Sequence, residues 1–436
     1  MKPTTIACLL VALTAGVRPP AGLAQTIAVK AGVLIDGRGG PPIRNAVIVI
    51  EGQRITAVGP NLAVPAGARV IDLSSQTVTP GWIDAHTHLT SPQIGAPGWE
   101  ADVAMVGPGL RALRAASFAR QALETGFTTV REVGALFFID VAVRDAIDRG
   151  WAVGPRIVAS GHALSIAGGH CDEDNGYPHG ALRAEFGVAE GVANSVDQVR
   201  EAVRHQVKHG ADVIKVCATG GVMSFGDGIG NQQFTDEELR AAVETAHLLD
   251  RRVAMHAHGT AGIKAAIRAG ATSIEHGTFI DDEGIALMRE KGTYLVSTLM
   301  AGEAVLRMAE ANQLPLELAV KARAVGPAAR HAIDRAHRAG IRIALGTDNI
   351  FAPQTTNWRE FELLVKAGLT PMEAILAGTK VAAELLGREK DIGSVEPGKY
   401  ADLVAIDGDP LADITRMGHA TFVMKGGVVV RAAPPN

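Results

Sequence analysis

The sequence has little of several residue types, and each scarcity excludes a class of protein. Only 4% of the 436 residues are aromatic, and the three cysteines (Cys8, Cys171 and Cys217) are too few for a disulfide framework. Lysine and arginine number 42 against 46 aspartate and glutamate, so the chain lacks the basic surplus typical of nucleic-acid binders. The balance of 47% hydrophobic and 20% charged residues is ordinary for a globular protein and argues against long disorder.

The only long apolar run lies at the start of the chain. Lys2 precedes an apolar stretch at 6–15, and small residues follow at 22–24, where a signal peptidase would read them. The run is shorter than a membrane-spanning helix and is interrupted at 18–20, which disfavours a membrane anchor; an apolar N-terminal helix is the other alternative. We expect residues 1–24 to be a removable signal peptide. The mature protein would then be secreted or periplasmic, with no membrane attachment.

Both ends of the remaining chain have the composition of short strands. Segments 47–50 and 54–58 are β-rich and separated by Glu51-Gly52-Gln53, which predicts a hairpin. Segments 401–406 and 421–430 have the same character. Two β-rich flanks around a long centre predict one small β-domain built from both ends of the chain.

The centre alternates between short apolar runs and helical patterns. Glycines end several helical patterns just before a strand, at Gly126, Gly210, Gly270 and Gly340. The competing architecture, a doubly wound sheet, usually has a glycine-rich phosphate loop after its first strand, and none follows Ile83. Eight strand–helix units therefore predict a (β/α)8 barrel. The strand candidates are 81–86, 128–133, 156–160, 212–216, 252–256, 273–276, 294–298 and 342–346.

Residues that can bind metal lie at the carboxyl ends of these strands, where barrel enzymes place their active sites. Two imidazoles separated by one residue on a strand point to the same side, and neutral imidazole and carboxylate are good ligands for zinc and similar ions. Alone, each residue has an ordinary structural explanation, but Lys215 stands in a fully apolar strand pattern where lysine is rare unless paired or reactive. The strand-end set is His86, His88, Lys215, His256, His258, His276 and Asp348.

These residues lie in phrases that resemble the amidohydrolase superfamily of metal-dependent hydrolases, over nearly the whole chain after residue 24. The phrases are Gly81-Trp-Ile-Asp-Ala-His-Thr-His88, Lys215, His256, His276, Gly346-Thr-Asp348 and the tail at 392–404. Segments 160–170, 219–224, 357–362 and 368–374 resemble the branch of Xaa-Pro dipeptidases, metallo-carboxypeptidases and ochratoxinase-like enzymes. The resemblance implies a TIM-like (β/α)8 barrel at 81–390, carrying a small β-sandwich made from 25–80 and 391–436.

The resemblance also implies roles for the strand-end residues. His86, His88 and Asp348 would bind one divalent metal, most simply zinc, and His256 and His276 a second. Lys215, carboxylated by CO₂, would bridge both metals, which would activate a water for attack on the scissile carbonyl. Asp348 would carry the proton to the leaving amine. The residues expected to stabilise the oxyanion or bind substrate are His162, in a catalytic role, and His170, with His258 and Arg131 as weaker candidates that packing explains equally well.

The resemblance predicts a metal-dependent amide hydrolase that acts on dipeptides or N-acyl amino acids with a free carboxylate, and that forms a homo-oligomer. The main alternative is a cyclic amide, lactone or carbamate hydrolase acting on small or xenobiotic substrates. It stays open because the loop at 349–357 lacks the histidine and glycine that relatives often have there. A mononuclear deaminase is disfavoured because segment 255–259 offers no carboxylate. A metal-binding or solute-binding protein without turnover is a further alternative, and Lys215 together with Asp348 argues against it.

Overall fold

The computed structural model describes residues 25–176 and 186–432, without the side chains of residues 100 and 104. The predicted signal peptide at 1–24 lies outside the described residues. Strands β2 (Ile43–Glu51) and β3 (Arg54–Pro60) form the predicted hairpin, which turns at Gly52 with φ +58°. The four strands that open this part of the chain are β1 (Ile27–Leu34), β2 (Ile43–Glu51), β3 (Arg54–Pro60) and β4 (Arg69–Pro80).

Eight parallel strands follow, each close to a segment predicted from its apolar run. The first three strands form one sheet and the last five form another, and neighbours within each sheet follow the order of the chain. Backbone hydrogen bonds span the two gaps, from Leu164 N to the Lys215 carbonyl (2.8 Å) and from Ala85 N to the Leu345 carbonyl (2.9 Å). The predicted (β/α)8 barrel is confirmed. Its strands are β5 (Trp82–Thr87), β6 (Phe127–Glu132), β7 (Arg156–Val158), β8 (Val213–Cys217), β9 (Arg252–Ala257), β10 (Ser273–His276), β11 (Tyr294–Val296) and β12 (Ile343–Ala344).

Helices surround the barrel because each carries apolar residues at helical spacing; the second buries Ala115, Ala119, Ala122 and Leu123 on one face. None of the helices in the described residues combines the length and apolar character that crossing a membrane requires. The helices are α1 (Trp99–Met105), α2 (Pro108–Glu124), α3 (Ile139–Asp148), α4 (Val196–Lys208), α5 (Asp236–Leu248), α6 (Thr260–Ala269), α7 (Asp282–Lys291), α8 (Leu299–Glu310), α9 (Leu316–Arg338), α10 (Arg359–Lys366), α11 (Pro371–Ala377) and α12 (Lys380–Leu385).

Helix α9 is longer than its sequence pattern suggests. A helical segment is apparent at 328–339, just after Pro327, but the helix begins at Leu316 and continues through the proline. Proline disfavours a helix interior because it lacks the N–H donor. Packing offsets this cost, since the apolar face before Pro327 joins a core cluster with Val305 and Ala309 of α8. The cap glycines predicted before four strands all adopt positive φ, between +74° and +115°.

The predicted β-domain from both ends of the chain is confirmed. Strands β13 (Leu403–Ile406), β14 (Ala420–Lys425) and β15 (Val428–Arg431) complete a seven-stranded sheet of order β15-β14-β13-β4-β1-β2-β3. The run at 421–430 is a hairpin rather than one strand, because Gly426 and Gly427 turn at positive φ. Val29 and Ile48 share one buried cluster with Leu403 and Phe422, so the two ends of the sheet enclose a common core.

Candidate active site and metal centre

Three of the predicted ligands meet where β5 adjoins the end of β12. The rings of His86 and His88 have centroids 5.3 Å apart. The backbone N–H of Asp348 donates to the His86 carbonyl at 2.8 Å, and this bond brings the Asp348 carboxylate to the histidines. Its Oδ1 lies 3.4 Å from His88 Nε2 and 3.7 Å from His86 Nε2. The three side chains can therefore surround one cation.

A second group adjoins the first at the ends of β9 and β10. One ligand atom each of His256, His258 and His276 lies within 4.8 Å of the others, and the same holds for His86, His276 and Asp348. His276 belongs to both groups, so the two lie side by side. The predicted ligands His256 and His276 are brought together, and His258, predicted to contact substrate, lies in the same group.

Hydrogen bonds fix which nitrogen each ring presents. The Nδ1 atoms of His86, His258 and His276 lie 2.7–2.8 Å from Glu275, Thr278 and Thr298 respectively, which leaves each Nε2 directed at the centre. His256 is reversed, because its Nε2 lies 3.3 Å from the Gly220 carbonyl and leaves Nδ1 free. Such outer partners are the usual means of orienting metal-ligating histidines.

Electrostatics favours the uncharged form of these rings. Burial, reinforced by the Lys215 cation, lowers the pKa of His88 to about 3 and that of His86 well below its usual value. Burial also lowers the pKa of His258 to about 3, and those of His256 and His276 well below the usual value. Neutral imidazole is the ligating state, so buried, oriented and uncharged donors fit divalent metal ions.

Lys215 projects from the middle of β8 and is 2% exposed. Its charge lowers the pKa of histidines in both groups, so its amine lies within electrostatic range of both. Within residues 25–176 and 186–432, no hydrogen bond or ion pair reaches its Nζ. Burial lowers the Lys215 pKa to about 8, which increases the fraction of free amine available for reaction.

Arg131, a weaker candidate for binding substrate, is buried inside the barrel, and its contact with substrate stays a prediction. The side chain is 2% exposed, and its guanidinium donates to the Ala85 carbonyl (2.6 Å), to Ser273 Oγ (3.1 Å) and to Glu275 Oε1 (2.8 Å). Those bonds occupy the guanidinium inside the barrel. Arg131 instead holds Glu275, whose other oxygen lies 2.8 Å from His86 Nδ1.

His162 packs against residues 137 and 138 and not against the histidine cluster, and its catalytic and substrate-binding roles stay predictions. Its Nε2 accepts the backbone N–H of Phe137 at 3.2 Å, and its ring packs on Phe138 with centroids 5.0 Å apart. Its electrostatic neighbours are Glu190, His205 and His209, on the helical side of the barrel wall. The ring therefore ties the segment after β7 to residues 137 and 138.

This location predicts that His162 contributes to the acid sensitivity of the fold. Burial lowers the His162 pKa to about 4, from 6.5, so the unfolded chain binds the proton more tightly than the folded one. Stability should therefore fall as pH drops from 6.5 towards 4. The free energy of unfolding should decrease between pH 7 and pH 5 in both proteins. Measured by urea denaturation, that decrease should be about 2 kcal/mol smaller in His162→Gln than in the wild type.

The exposed His331 on α9 offers a matched control. His331→Gln should leave the difference between pH 7 and pH 5 as in the wild type. Equal acid sensitivity of His162→Gln and the wild type would contradict the assignment of a buried, neutral His162.

His170 lies beside the histidine cluster, and its contact with substrate stays a prediction. Its ring centroid is 4.3 Å from that of His256, and its Nδ1 lies 2.8 Å from Ser224 Oγ. The adjacent Cys171 forms a disulfide with Cys217 at the end of β8, with Cα atoms 6.0 Å apart. Three cysteines exclude a disulfide framework but allow this one bond. The signal for it is that Cys8 lies in the predicted leader, leaving an even pair.

Asp84 is a buried carboxylate that is not among the predicted site residues. It accepts the backbone N–H groups of His86 (3.1 Å) and Thr347 (3.0 Å), the Thr347 hydroxyl (2.7 Å) and the Asn357 amide (3.1 Å). These bonds tie β5 to the segment that carries Asp348. The argument that singles out Lys215, a charge within an apolar strand, applies equally to Asp84.

Glu360, on α10, is a second carboxylate absent from the predicted set. It is fully buried and accepts the backbone N–H groups of the first two residues of α8, each at 2.8 Å, and the Ser297 hydroxyl at 2.6 Å. It thereby caps α8 from another element. The residue just before α8 is Thr298, whose hydroxyl orients His276.

The fold and the histidine-rich centre together define a class of protein. Residues 77–430 match the Amidohydrolase family, so the chain belongs to that family and is a hydrolase acting on carbon–nitrogen bonds. It is similar to the ochratoxinase of Aspergillus niger, with 36% identity over 423 residues, covering 93% of this chain and 86% of that protein. The resemblance to amidohydrolases of the dipeptidase and ochratoxinase branch is confirmed.

Two solved structures extend the likeness. A Xaa-Pro dipeptidase with methionine bound in its active site is 38% identical, with a TM-score of 0.88 over 93% of this chain and 99% of that one. A prolidase complexed with N-methylphosphonate-L-proline is 31% identical, with a TM-score of 0.86 over 94% of this chain and 100% of that one.

Proposed function

We propose that this protein is a metal-dependent amide hydrolase that releases an amino acid from dipeptides or N-acyl amino acids with a free carboxylate. The observation that carries the proposal is the pair of adjoining ligand groups that share His276, with Lys215 in electrostatic range of both. Two sites this close suit a single reaction centre better than two independent structural metals.

The related proteins support the substrate class. One is an ochratoxinase, one is a Xaa-Pro dipeptidase with methionine bound, and one is a prolidase with a phosphonate derivative of proline bound. Methionine is a free amino acid and N-methylphosphonate-L-proline contains one, so both ligands favour a substrate that yields an amino acid. For this chain, the expected substrates are amides whose leaving group is an amino acid.

The proposed metal-binding roles follow from where the residues lie. His86, His88 and Asp348 would hold one divalent metal, and His256 and His276 the other, while His258 would hold a ligand or contact substrate. Divalent ions at these positions would polarise the substrate carbonyl and lower the pKa of a water. Imidazole-rich sites suit zinc, and related divalent ions can replace it.

In the proposed reaction, Lys215 changes its charge and Asp348 transfers a proton. The Lys215 ammonium would first lose one proton to solvent. The free amine would then add to CO₂, forming an N–C bond and releasing a second proton to solvent, which leaves an anionic carbamate whose oxygens could ligate the metals. The Asp348 carboxylate would take the proton of the attacking water and donate it to the amine that leaves. His170 would contact the substrate from the mouth of the centre.

One observation favours a second candidate, a hydrolase of cyclic amides, lactones or carbamates. The loop 349–357, which follows Asp348, contains no cationic residue to meet a substrate carboxylate. Its polar side chains instead bond to one another, as in the 2.7 Å contact from Asn349 to Asn357. An uncharged substrate end would suit this loop.

We further propose that the enzyme acts outside the cytoplasm as a homo-oligomer. The predicted signal peptide at 1–24 and the disulfide between Cys171 and Cys217 support export, because disulfides persist in oxidising compartments. Neither nucleic acid nor a membrane is an expected partner, and a small amide is the expected ligand.

The test is a substrate panel combined with a lysine variant. The purified protein should release amino acids from dipeptides and N-acyl amino acids faster than it opens lactones. Lys215→Ala should lose metal and lower kcat by more than about 100-fold, because the bridge between the metals is lost. Lys208→Ala, at an exposed position on α4, is the control. Full metal content and full activity in Lys215→Ala would overturn the bridging role.

A further inference from the structure

A chain of polar contacts leads from α9 to the ring of His170. Lys321 Nζ donates to Asp227 Oδ1 at 2.6 Å and to the Ser224 carbonyl at 2.8 Å. Ser224 Oγ lies 2.8 Å from both oxygens of Asp227 and 2.8 Å from His170 Nδ1. All of these groups are buried or nearly so: the side chains of Lys321 and Asp227 are 9% and 6% exposed. None of the three residues behind His170 is a proposed metal ligand.

The direction of the hydrogen bonds follows from counting protons. A serine hydroxyl has one proton to donate, and the carboxylate of Asp227 can only accept it. The oxygen of Ser224 must therefore accept from His170, whose Nδ1 carries the proton. Burial raises the pKa of Asp227, but the hydrogen bonds from Lys321 and Ser224 outweigh burial and lower it, so the carboxylate stays ionised. With Nδ1 occupied, Nε2 is the nitrogen left to face the centre.

The backbone around His170 is held as firmly as its ring. Its N–H donates to Gln233 Oε1 at 3.1 Å, and the neighbouring Cys171 is joined to Cys217. Gly221 lies flat against the ring, and a Cβ there would overlap the imidazole atoms. A ring clamped on all of these sides has one orientation available.

We propose that Ser224, Asp227 and Lys321 are positioning residues that fix the orientation and tautomer of His170 and so present its Nε2 to the substrate. This inference rests on the proposed amide hydrolase function. The three residues reach the centre through His170. Lys321 holds Asp227, and Asp227 holds the Ser224 hydroxyl, which holds the ring. Asp227 also accepts from the Gly221 N–H (3.1 Å) and Gln233 Nε2 (3.3 Å), two groups that contact His170 from its other sides.

The test is a double-mutant cycle on metal-loaded protein. Ser224→Ala and Asp227→Asn should each lower kcat/KM by about 10- to 100-fold, as is typical for residues that orient a functional histidine, with the metal content unchanged. In a His170→Asn background the same substitutions should change kcat/KM less than twofold. Ser195→Ala, at the N-cap of α4, removes a hydroxyl elsewhere and should leave kcat/KM as in the wild type.

Two results would overturn the proposal. One is a loss in Ser224→Ala that persists undiminished in the His170→Asn background. The other is a loss that parallels a fall in metal content, which would indicate general damage to the centre. Ser224→Thr keeps the hydroxyl and should recover most of the activity lost in Ser224→Ala.

A second measurement separates this inference from the proposed function, because it needs no substrate. In crystal structures of the zinc-loaded protein, the wild-type His170 ring should show one orientation, with Nδ1 towards residue 224. The Ser224→Ala ring should be rotated or occupy two orientations. An unchanged ring would contradict the positioning role even if the enzyme hydrolysed the whole amide panel. A rotated ring would support that role even if no amide were hydrolysed.

Discussion

Replacing Asp348 with asparagine is expected to lower kcat for amide hydrolysis by about 10²- to 10⁴-fold, the range attributed to general acid–base groups. The carboxylate is 18% exposed and lies 3.4 Å from His88 Nε2, so it touches both the ligand group and the space open to substrate. Burial raises the Asp348 pKa to about 7, against the opposing effect of the Lys215 cation. A carboxyl with that pKa can gain and lose a proton near neutral pH, which asparagine cannot do.

The fold should tolerate this substitution, so a loss of activity at unchanged metal content can be assigned to proton transfer. Asp348 has φ +48°, a left-handed conformation that asparagine also adopts readily. Its backbone bond to the His86 carbonyl does not depend on the side chain. Steady-state kinetics and thermal denaturation compare kcat and stability between the wild type and Asp348→Asn. Asp197→Asn, at a side chain that is 93% exposed, is the control. Wild-type kcat in Asp348→Asn would contradict the proton-transfer role.

The second large effect is on stability: Arg131→Met should cost about 3–5 kcal/mol of the free energy of unfolding. Arg131 and Glu275 are 2% and 0% exposed, and their contact is 2.8 Å. Removing one partner of a buried ion pair leaves an uncompensated charge, which is far costlier than losing an exposed pair. Glu275 also orients His86, so metal affinity should fall by about 10- to 100-fold.

Denaturation of the metal-free protein measures the stability effect without the metal contribution. Arg120→Met breaks an exposed pair with Glu124 and should leave the free energy of unfolding close to that of the wild type. Arg131→Met/Glu275→Gln removes the unpaired charge and should recover part of the loss in stability. If Arg131→Met unfolded at the same denaturant concentration as Arg120→Met, the buried pair would not have the predicted importance.

The metal-ligand candidates could be predicted from sequence because the barrel gives strand ends a fixed meaning. Short apolar runs locate the strands, parallel strands end on one side, and polar residues at those ends must meet there. Position at a strand end is enough to predict four of the ligand candidates, namely His86, His256, His276 and Asp348. Lys215 follows from the cost of burying a lone cation among apolar neighbours.

Arg131 and His162 show where this reasoning stops. Both lie near strand ends, but a strand end does not say how deep a side chain sits or which side it faces. Arg131 points into the barrel, where its guanidinium donates to Glu275. His162 comes after β7 has ended, so strand alternation no longer sets its direction, and it turns to the Phe137 backbone. Those partners are distant in sequence, and only the folded chain brings them together.

The length of α9 and the disulfide depend on the same kind of information. Packing against α8 extends the helix through Pro327, and no local pattern reports that packing. Cys171 and Cys217 are separated by 46 positions and meet because one follows His170 and the other ends β8.

If two bound divalent metals make this centre an amide hydrolase, its activity should depend on them, and metal removal is the decisive experiment. Dialysis against a chelator, with metal content and amino-acid release measured on the same samples, gives the comparison. We expect close to two divalent ions per active chain. Their removal should lower kcat by more than about 100-fold, and adding zinc should restore it. Undiminished hydrolysis by a chain that retains almost no metal would contradict this metal dependence.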